Sequence, residues 1–165
     1  MAGSRFYKHV FTTRAAAKRA FPADVLQAIQ SAIAEGEAVH RAEIRFAVEA
    51  ALTWHNVLDN LTSRRRAHEL FTRYRIWDTE ENCGVLIYVN LADRKVEIIT
   101  DRAVGRALHK DDWQAVCRTM TAGFAQGHYR DSTLAALRQL NGLLQQHFPA
   151  NGDNRNELSN KPLVL

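Results

Sequence analysis

The feature that most constrains the fold is the continuous apolar run Val85-Leu86-Ile87-Tyr88-Val89. Runs of this length suit a central strand that is covered on both faces. A second strand is predicted over Lys95–Thr100, and the connection through Ala92-Asp93-Arg94 is short enough to force a hairpin. The centre of the fold is therefore predicted to be a sheet, with these two strands antiparallel to each other.

Periodicity predicts the elements around this hairpin. The alternation in Glu43–Glu49 indicates a strand with Ile44, Phe46 and Val48 on one face and with Glu43, Arg45 and Glu49 on the other. Helical spacing of apolar residues predicts four helices: one starting near Pro22, one from about Thr62 to Arg75, one carrying Trp113 to Phe124, and one capped by Asp131. A helix connects the first two strands, so we expect them to be parallel. The predicted fold class is α/β, a small mixed sheet sandwiched between helices.

The two ends of the chain differ from its middle. Residues 1–19 form a basic arm with five cationic side chains and no acid. Pro149–Asn156 is rich in Asn and Gly and has no period, and residues 149–165 are expected to be disordered. The arm could contact nucleic acid, anionic lipid or an acidic partner, but a solvated leader that is dispensable for folding is favoured over these. No motif or aromatic platform accompanies it, so no nucleic acid is predicted as a partner. Residues 20–148 are expected to form a single domain.

Composition also bears on location and redox state. The longest apolar run is too short to cross a bilayer, and no apolar signal core follows Met1, so we expect no transmembrane segment and a cytoplasmic protein. Cys83 and Cys117 are far apart in sequence and lie in apolar surroundings, which favours two buried, reduced thiols.

An acidic segment directly precedes the central strand. Within Trp77–Gly84 it places four oxygen-bearing side chains: Asp78, Glu80, Glu81 and Asn82. Hard cations bind several oxygen ligands gathered on a flexible loop, and Gly84 permits a tight approach to the strand. The alternative is an ordinary acidic surface loop.

The predicted hairpin brings a fifth oxygen ligand to this loop. With Asp93 and Arg94 as the turn, Leu86 faces Asp101 and Gly84 meets Ala103. We therefore predict a site for calcium, or less tightly for magnesium, with dissociation constants on the order of 10⁻⁴ M, formed by Asp78, Glu80, Glu81, Asn82 and Asp101. The parallel strand brings Glu43 near this site. Arg45 and Arg102 could instead neutralise the acids as salt bridges.

Signatures of catalysis are missing from the sequence. It contains no Gly-rich phosphate loop and no Gly-x-Ser-x-Gly elbow, and its seven histidines lack metal-ligand spacing. The sequence therefore identifies no candidate catalytic residues.

Two parts of the sequence resemble the TPM domain. The first is Ile76–Val89 with the following Asp93-Arg94-Lys95-Val96-Glu97-Ile98. The second is Phe124-Ala125-Gln126-Gly127-His128-Tyr129, which is similar to that family's Phe-x-x-Gly-Asp-Tyr segment. The resemblance implies an α/β/α sandwich. The family includes thylakoid-lumen proteins described as acid phosphatases and other members that bind calcium. Two departures are Cys83, which interrupts the family's Asn-Gly pair, and Thr100–Gly105, which replaces its Gly-x-Gly turn.

These observations lead to two functional hypotheses. The first is a non-enzymatic module that binds calcium, a protein partner, or both. The second is a weak metal-assisted acid phosphatase, in which the metal polarises a phosphoryl oxygen and an acid of the same site handles protons.

Overall fold

A mixed sheet of four strands forms the centre of the protein. The computed structural model describes residues 2–152 and 155–165, so Met1, Asp153 and Asn154 lie outside the described residues. The strands are β1 (Glu43–Glu49), β2 (Gly84–Asn90), β3 (Lys95–Thr100) and β4 (Leu163–Val164). Their order is β3-β2-β1-β4; β1 runs parallel to β2 and β4, and β3 runs antiparallel to β2.

Eight helices surround this sheet within the described residues. They are α1 (Ala2–Phe11), α2 (Arg14–Ala20), α3 (Ala23–Glu37), α4 (Trp54–Leu58), α5 (Ser63–Arg73), α6 (Arg102–Ala107), α7 (Lys110–Ala125) and α8 (Tyr129–His147). None of the described helices combines the length and the apolar character needed to span a membrane.

Each face of the sheet has its own core. One face, which includes Ile44, Phe46 and Ile87, packs against α3, α7 and α8. The opposite face packs against α5, and Tyr88 is the largest residue buried there. The predicted α/β fold with helices on both faces is thus confirmed.

Local sequence explains where several helices begin. The Thr62 hydroxyl accepts a hydrogen bond from the backbone N–H of Arg65 and caps α5. At α7, His109 and Asp112 form a reciprocal capping box. Asp131 was predicted to cap α8, and this prediction is wrong. The helix begins at Tyr129, with His128 at the N-cap and no side-chain capping bond.

Strand β1 is more deeply buried than its alternating pattern predicts, because all seven of its residues are buried. The alternation itself is correct, since Ala47 packs on the face opposite to Ile44. Helix α5 and the C-terminal segment cover that second face. The carboxyl groups at the two ends of β1 have hydrogen-bond partners: Arg66 bonds Glu49, and the backbone N–H of Leu158 donates to Oε2 of Glu43.

The C-terminal segment does not match the expected disorder. Leu163–Val164 pairs with Ala47 and Val48 of β1, and Leu158, Leu163 and Leu165 pack against the second core. Apolar residues at the end of a polar segment supply the surface that the sheet needs on this side.

The N-terminal arm is also packed against the domain. Arg5 and His9 of α1 contact both carboxylate oxygens of Asp93, which lies in the turn between β2 and β3. The His9 Nδ1 accepts a hydrogen bond from the backbone N–H of Leu52, so its Nε2 carries the proton donated to Asp93.

Candidate functional site

The predicted metal ligands lie at one edge of the sheet, where β1 and β2 begin. Glu43 pairs with Gly84 in the parallel register, and the backbone N–H of Asp101 donates to the carbonyl of Gly84 at 2.9 Å. The N–H of Ala103 donates to the carbonyl of Asn82 at 3.2 Å. The structure therefore places the acidic loop beside Asp101. We call Asp78, Glu80, Glu81, Asn82 and Asp101 the acidic rim.

The hairpin register differs from the predicted one by two residues. Leu86 pairs with Ile99 rather than with Asp101, because the turn is longer than Asp93 and Arg94 alone. Asn90 pairs with Lys95, so residues 91–94 form the loop. The side-chain oxygen of Asn90 accepts from the backbone N–H of Asp93, and Arg94 takes a positive φ of 52° to close the loop.

Arginines neutralise two carboxylates of the acidic rim. Arg75 lies 2.9 Å from Asp78, and Arg41 pairs with Glu81. These partners are not the Arg45 and Arg102 that the sequence suggests, since Arg45 binds the carbonyls of Ser159 and Lys161 instead. Across residues 2–152 and 155–165, no group of three or more His, Cys, Asp and Glu side chains could hold a metal ion.

Asp101 is the buried member of the acidic rim, whereas the other four side chains are exposed. Its Oδ1 accepts the backbone N–H of Arg102 at 2.7 Å, at the start of α6. Its Oδ2 is buried and has no hydrogen-bond partner among the described residues. A buried carboxylate oxygen in this state is destabilising unless a further donor or cation reaches it.

Two more carboxyl groups, Glu37 and Glu43, are buried behind the rim. Burial raises the pKa of Glu37 to about 8, although the N–H of Ile44 donates to it at 2.9 Å. Burial also raises the pKa of Glu43, whose Oε2 accepts from the backbone N–H of Leu158. Glu43 was predicted to lie near the rim from the parallel pairing of the strands, whereas Glu37, which lies on the last turn of α3, was not predicted.

A polar network at the opposite end of the sheet was not predicted. Burial raises the pKa of Tyr88, and its hydroxyl donates to Glu49 at 2.6 Å. Arg66 bonds both oxygens of Glu49, and Asn90 donates to the Tyr88 oxygen. The polar residues Glu49 and Asn90 at the ends of two apolar strands were the available sequence signal for this network.

A cleft of about 680 Å³ runs along β3 on the side away from β2. The strand forms one wall, α6 and α7 form the other, and Arg64 of α5 closes one side. Lys110 and Arg118 contribute further positive charge, and Trp113 and Leu108 contribute apolar surface. Glu97, 3.5 Å from Arg64, is the one carboxylate among the described residues that line this cleft, which we call the β3 cleft.

Backbone groups of β3 also face this cleft. The N–H of Asp101 points towards β2, whereas the carbonyl of Ile98 points away and accepts from Arg64 at 2.7 Å. Because backbone groups alternate along a strand, the N–H groups of Val96, Ile98 and Thr100 point away from β2. This outer edge of β3 has no neighbouring strand in the sheet.

Both cysteines are free thiols. Cys83 is buried and donates to the carbonyl of Arg41, whereas Cys117 is half-buried and lines the β3 cleft. Burial raises the pKa of each thiol to about 11. Both groups are therefore protonated and poorly nucleophilic near neutral pH.

The architecture defines an α/β/α sandwich with a small mixed sheet. The model of the TPM domain matches residues 17–143, and the chain belongs to the TPM domain family. The fold is similar to the NMR structure of the BA42 protein from the psychrophilic bacterium Bizionia argentinensis, with a TM-score of 0.78 and 24% sequence identity over 88% of this chain and 95% of that one. No curated protein matches this chain in sequence.

Proposed function

We propose that this TPM domain is a non-catalytic protein-interaction module that holds an extended acidic segment of a partner protein along the β3 cleft. The observation that carries the proposal is the coincidence of an unpaired strand edge with a cationic, partly apolar cleft. Extended peptides bind such edges by adding a strand, with backbone hydrogen bonds providing affinity and side-chain contacts providing specificity.

Charge complementarity selects the acidic occupant. Arg64 is partly neutralised by Glu97, whereas Lys110 and Arg118 form no ion pair within the described residues. Acidic side chains of an added strand can reach these two cations, and alternate apolar side chains can contact Trp113. Opposite charges across such an interface raise the association rate and exclude basic segments.

Fluorescence anisotropy tests this proposal with a short labelled peptide in which glutamate alternates with valine. We expect binding that weakens at high salt, and at least about tenfold weaker binding when lysine replaces glutamate in the peptide. In nuclear magnetic resonance spectra, the amides of Val96, Ile98 and Thr100 should shift most.

Two variants separate strand addition from simple charge attraction. Thr100→Pro removes an outward-facing donor without removing a bond to β2. This variant should abolish the peptide-induced shifts of the Val96 and Ile98 amides. Lys110→Glu with Arg118→Glu should weaken binding, whereas Arg138→Glu on the exposed surface of α8 should not. Peptide binding that Thr100→Pro leaves unchanged, or no binding even at low salt, contradicts the proposal.

A second candidate is weak calcium binding at the acidic rim, which the unpartnered, buried Oδ2 of Asp101 favours. The carboxylate and amide oxygens of the rim are ligands suited to calcium. Because the ion pairs of Asp78 and Glu81 must open first, we expect a dissociation constant on the order of 10⁻⁴ M.

Calorimetry tests the calcium site directly. Millimolar calcium should stabilise the native state by roughly 1 kcal/mol, since a ligand bound only by the folded protein shifts the unfolding equilibrium. Asp78→Asn with Glu81→Gln should remove this shift, whereas Asp111→Asn on α7 should keep it. An equal shift in the double variant, or no shift in the wild type, excludes the site.

The phosphatase hypothesis is tested on the same proteins with p-nitrophenyl phosphate at acid and neutral pH, with and without calcium, magnesium or manganese. A metal-dependent activity that Asp78→Asn with Glu81→Gln abolishes would support it. A non-catalytic domain predicts no turnover above the buffer rate.

A further inference from the structure

Helix α1 carries an apolar face that points into solvent. Tyr7, Val10 and Phe11 recur at the spacing of one helix face, and their exposed fractions are 63%, 52% and 76%. The rings of Tyr7 and Phe11 stack with their centroids 6.4 Å apart. The opposite face of the same helix is the one that binds the domain, through Arg5, Phe6 and His9.

A second exposed apolar pair lies on α4, the helix against which α1 packs. Trp54 is 61% exposed and Leu58 is 60% exposed, one turn apart, while Val57 between them is buried. Five of the eight large apolar side chains that the described structure exposes thus lie on these two short helices. Clustering of this kind marks a binding surface more than isolated exposed residues do.

Exposed cations lie on α1 and on α2, the helix that follows it. Lys8, Arg14, Lys18 and Arg19 are exposed, and residues 1–19 contain no acid. Asp93, which contacts α1, is neutralised by Arg5 and accepts a hydrogen bond from His9, and the exposed Asp59 at the end of α4 lies 3.9 Å from His55. We call Tyr7, Val10, Phe11, Trp54 and Leu58, with the four exposed cations, the α1–α4 surface.

We propose that the α1–α4 surface docks the protein reversibly onto an anionic lipid surface. Aromatic rings with one polar atom, here Tyr7 and Trp54, are favoured at the boundary between water and lipid, and neighbouring aliphatic groups enter the acyl region. The exposed cations attract the negative headgroups. Nucleic acid would satisfy the cations but not Val10 and Leu58. The match to the TPM family begins at residue 17, so α1 lies outside the matched part of the chain.

Vesicle co-sedimentation tests this proposal with the full chain. Vesicles of phosphatidylcholine and phosphatidylglycerol in equal parts should sediment the protein, and phosphatidylcholine alone should bind it at least about tenfold less. Phe11→Ser with Trp54→Ser should lower binding to the mixed vesicles at least about tenfold, because the variant can no longer bury these two aromatic rings in the lipid. Lys8→Glu with Arg14→Glu should have a similar effect.

Matched variants and a spectroscopic signal separate docking from non-specific adhesion. Trp77→Ser, which removes an exposed ring elsewhere, and Arg73→Glu on α5 should bind as the wild type does. With Trp77 and Trp113 replaced by phenylalanine, the emission of Trp54 should shift to shorter wavelength on mixed vesicles and be quenched by brominated lipid.

Three results would overturn the proposal. One is no sedimentation with mixed vesicles at low salt. Another is sedimentation that Phe11→Ser with Trp54→Ser leaves unchanged, which would show attraction by charge alone. The last is a dimer in sedimentation velocity that the same double variant converts to a monomer without any vesicle binding, which would show that a second copy covers the surface.

Discussion

Gly84 lies where the loop after α5 meets β2. A Cβ built there would be 1.9 Å from the carbonyl oxygen of Ile76, a backbone atom that cannot move aside cheaply. The sequence suggested a tight approach at this glycine, and the structure identifies what it approaches. Gly142, on α8, differs because a Cβ there would meet no atom within 4 Å.

We therefore expect Gly84→Ala to destabilise the protein by about 3 kcal/mol or more, since the loop and strand must separate. Gly142→Ala, the matched control, should be neutral or stabilising by up to about 1 kcal/mol, because alanine favours helix. Urea denaturation measures both. Equal stability of the two variants would show that the loop relaxes without cost.

Glu37 gives the protein a stability that depends on pH. Its pKa in the folded state, about 8, lies above its ordinary value of 4.5 because burial disfavours the carboxylate. The folded state therefore binds more protons than the unfolded state between these values. The contribution of Glu37 is most favourable below about pH 4.5 and is lost as the pH rises to about 8.

Glu37→Gln should flatten this dependence, because the amide oxygen can still accept the N–H of Ile44. We expect the variant to gain about 1–3 kcal/mol relative to the wild type at about pH 9, and less at about pH 5. Urea denaturation at both pH values measures the difference. Parallel pH profiles for the two proteins would show that the carboxyl group ionises normally in the folded state.

Asp93, in the turn between β2 and β3, holds α1 against the domain. Asp93 accepts hydrogen bonds from Arg5, His9 and Ser63. Burial alone would raise the pKa of Asp93, but these three partners outweigh it and lower the pKa instead. This bonding accounts for the folded position of the arm, so we expect the arm to contribute to stability rather than to be dispensable for folding.

Deletion of residues 1–13 should therefore lower the free energy of unfolding by about 2–4 kcal/mol, and Asp93→Ala should lower it by a similar amount, because each change leaves buried polar groups without partners. Together they should cost at least about 1 kcal/mol less than the sum, since both remove the same interaction. Urea denaturation of the four proteins completes this cycle. Strict additivity, or a deletion without effect, would contradict the assigned role of Asp93.

The C-terminal segment, residues 155–165, completes the second face of the sheet. Strand β4 is only two residues long, but the segment before it supplies the carbonyls that bind Arg45 and the N–H that binds Glu43. Leu158, Leu163 and Leu165 add apolar surface to the same side. The segment therefore satisfies buried charges as well as covering apolar area.

Removing residues 155–165 should lower the melting temperature by about 10 °C or more, since two buried charges lose partners and a core face is exposed. Val164→Ser, which alters a half-exposed side chain in the same segment, should change it by only a few degrees. Differential scanning calorimetry provides both values. A truncated protein that melts within a few degrees of the wild type would show that the segment is peripheral.

Local pattern predicts those parts of the fold that depend on residues near in sequence. The apolar run of β2, the alternation of β1 and the stripes of α3, α5, α7 and α8 each reflect burial repeated at a regular spacing. The parallel pairing of β1 and β2 follows from the helix between them. The position of Asp101 beside the acidic loop also follows, even with the hairpin register displaced by two residues.

Contacts between distant residues decide the remainder, and no spacing in the sequence records them. Three contacts join residues that are far apart in sequence. Arg41 pairs with Glu81, Asp93 bonds His9 of α1, and Leu163 pairs with β1. Short elements such as α4, α6 and β4 show too few turns or alternations to be recognised. The β3 cleft and the α1–α4 surface arise only in three dimensions, because each combines side chains of separate elements whose relative positions are set by packing around the sheet.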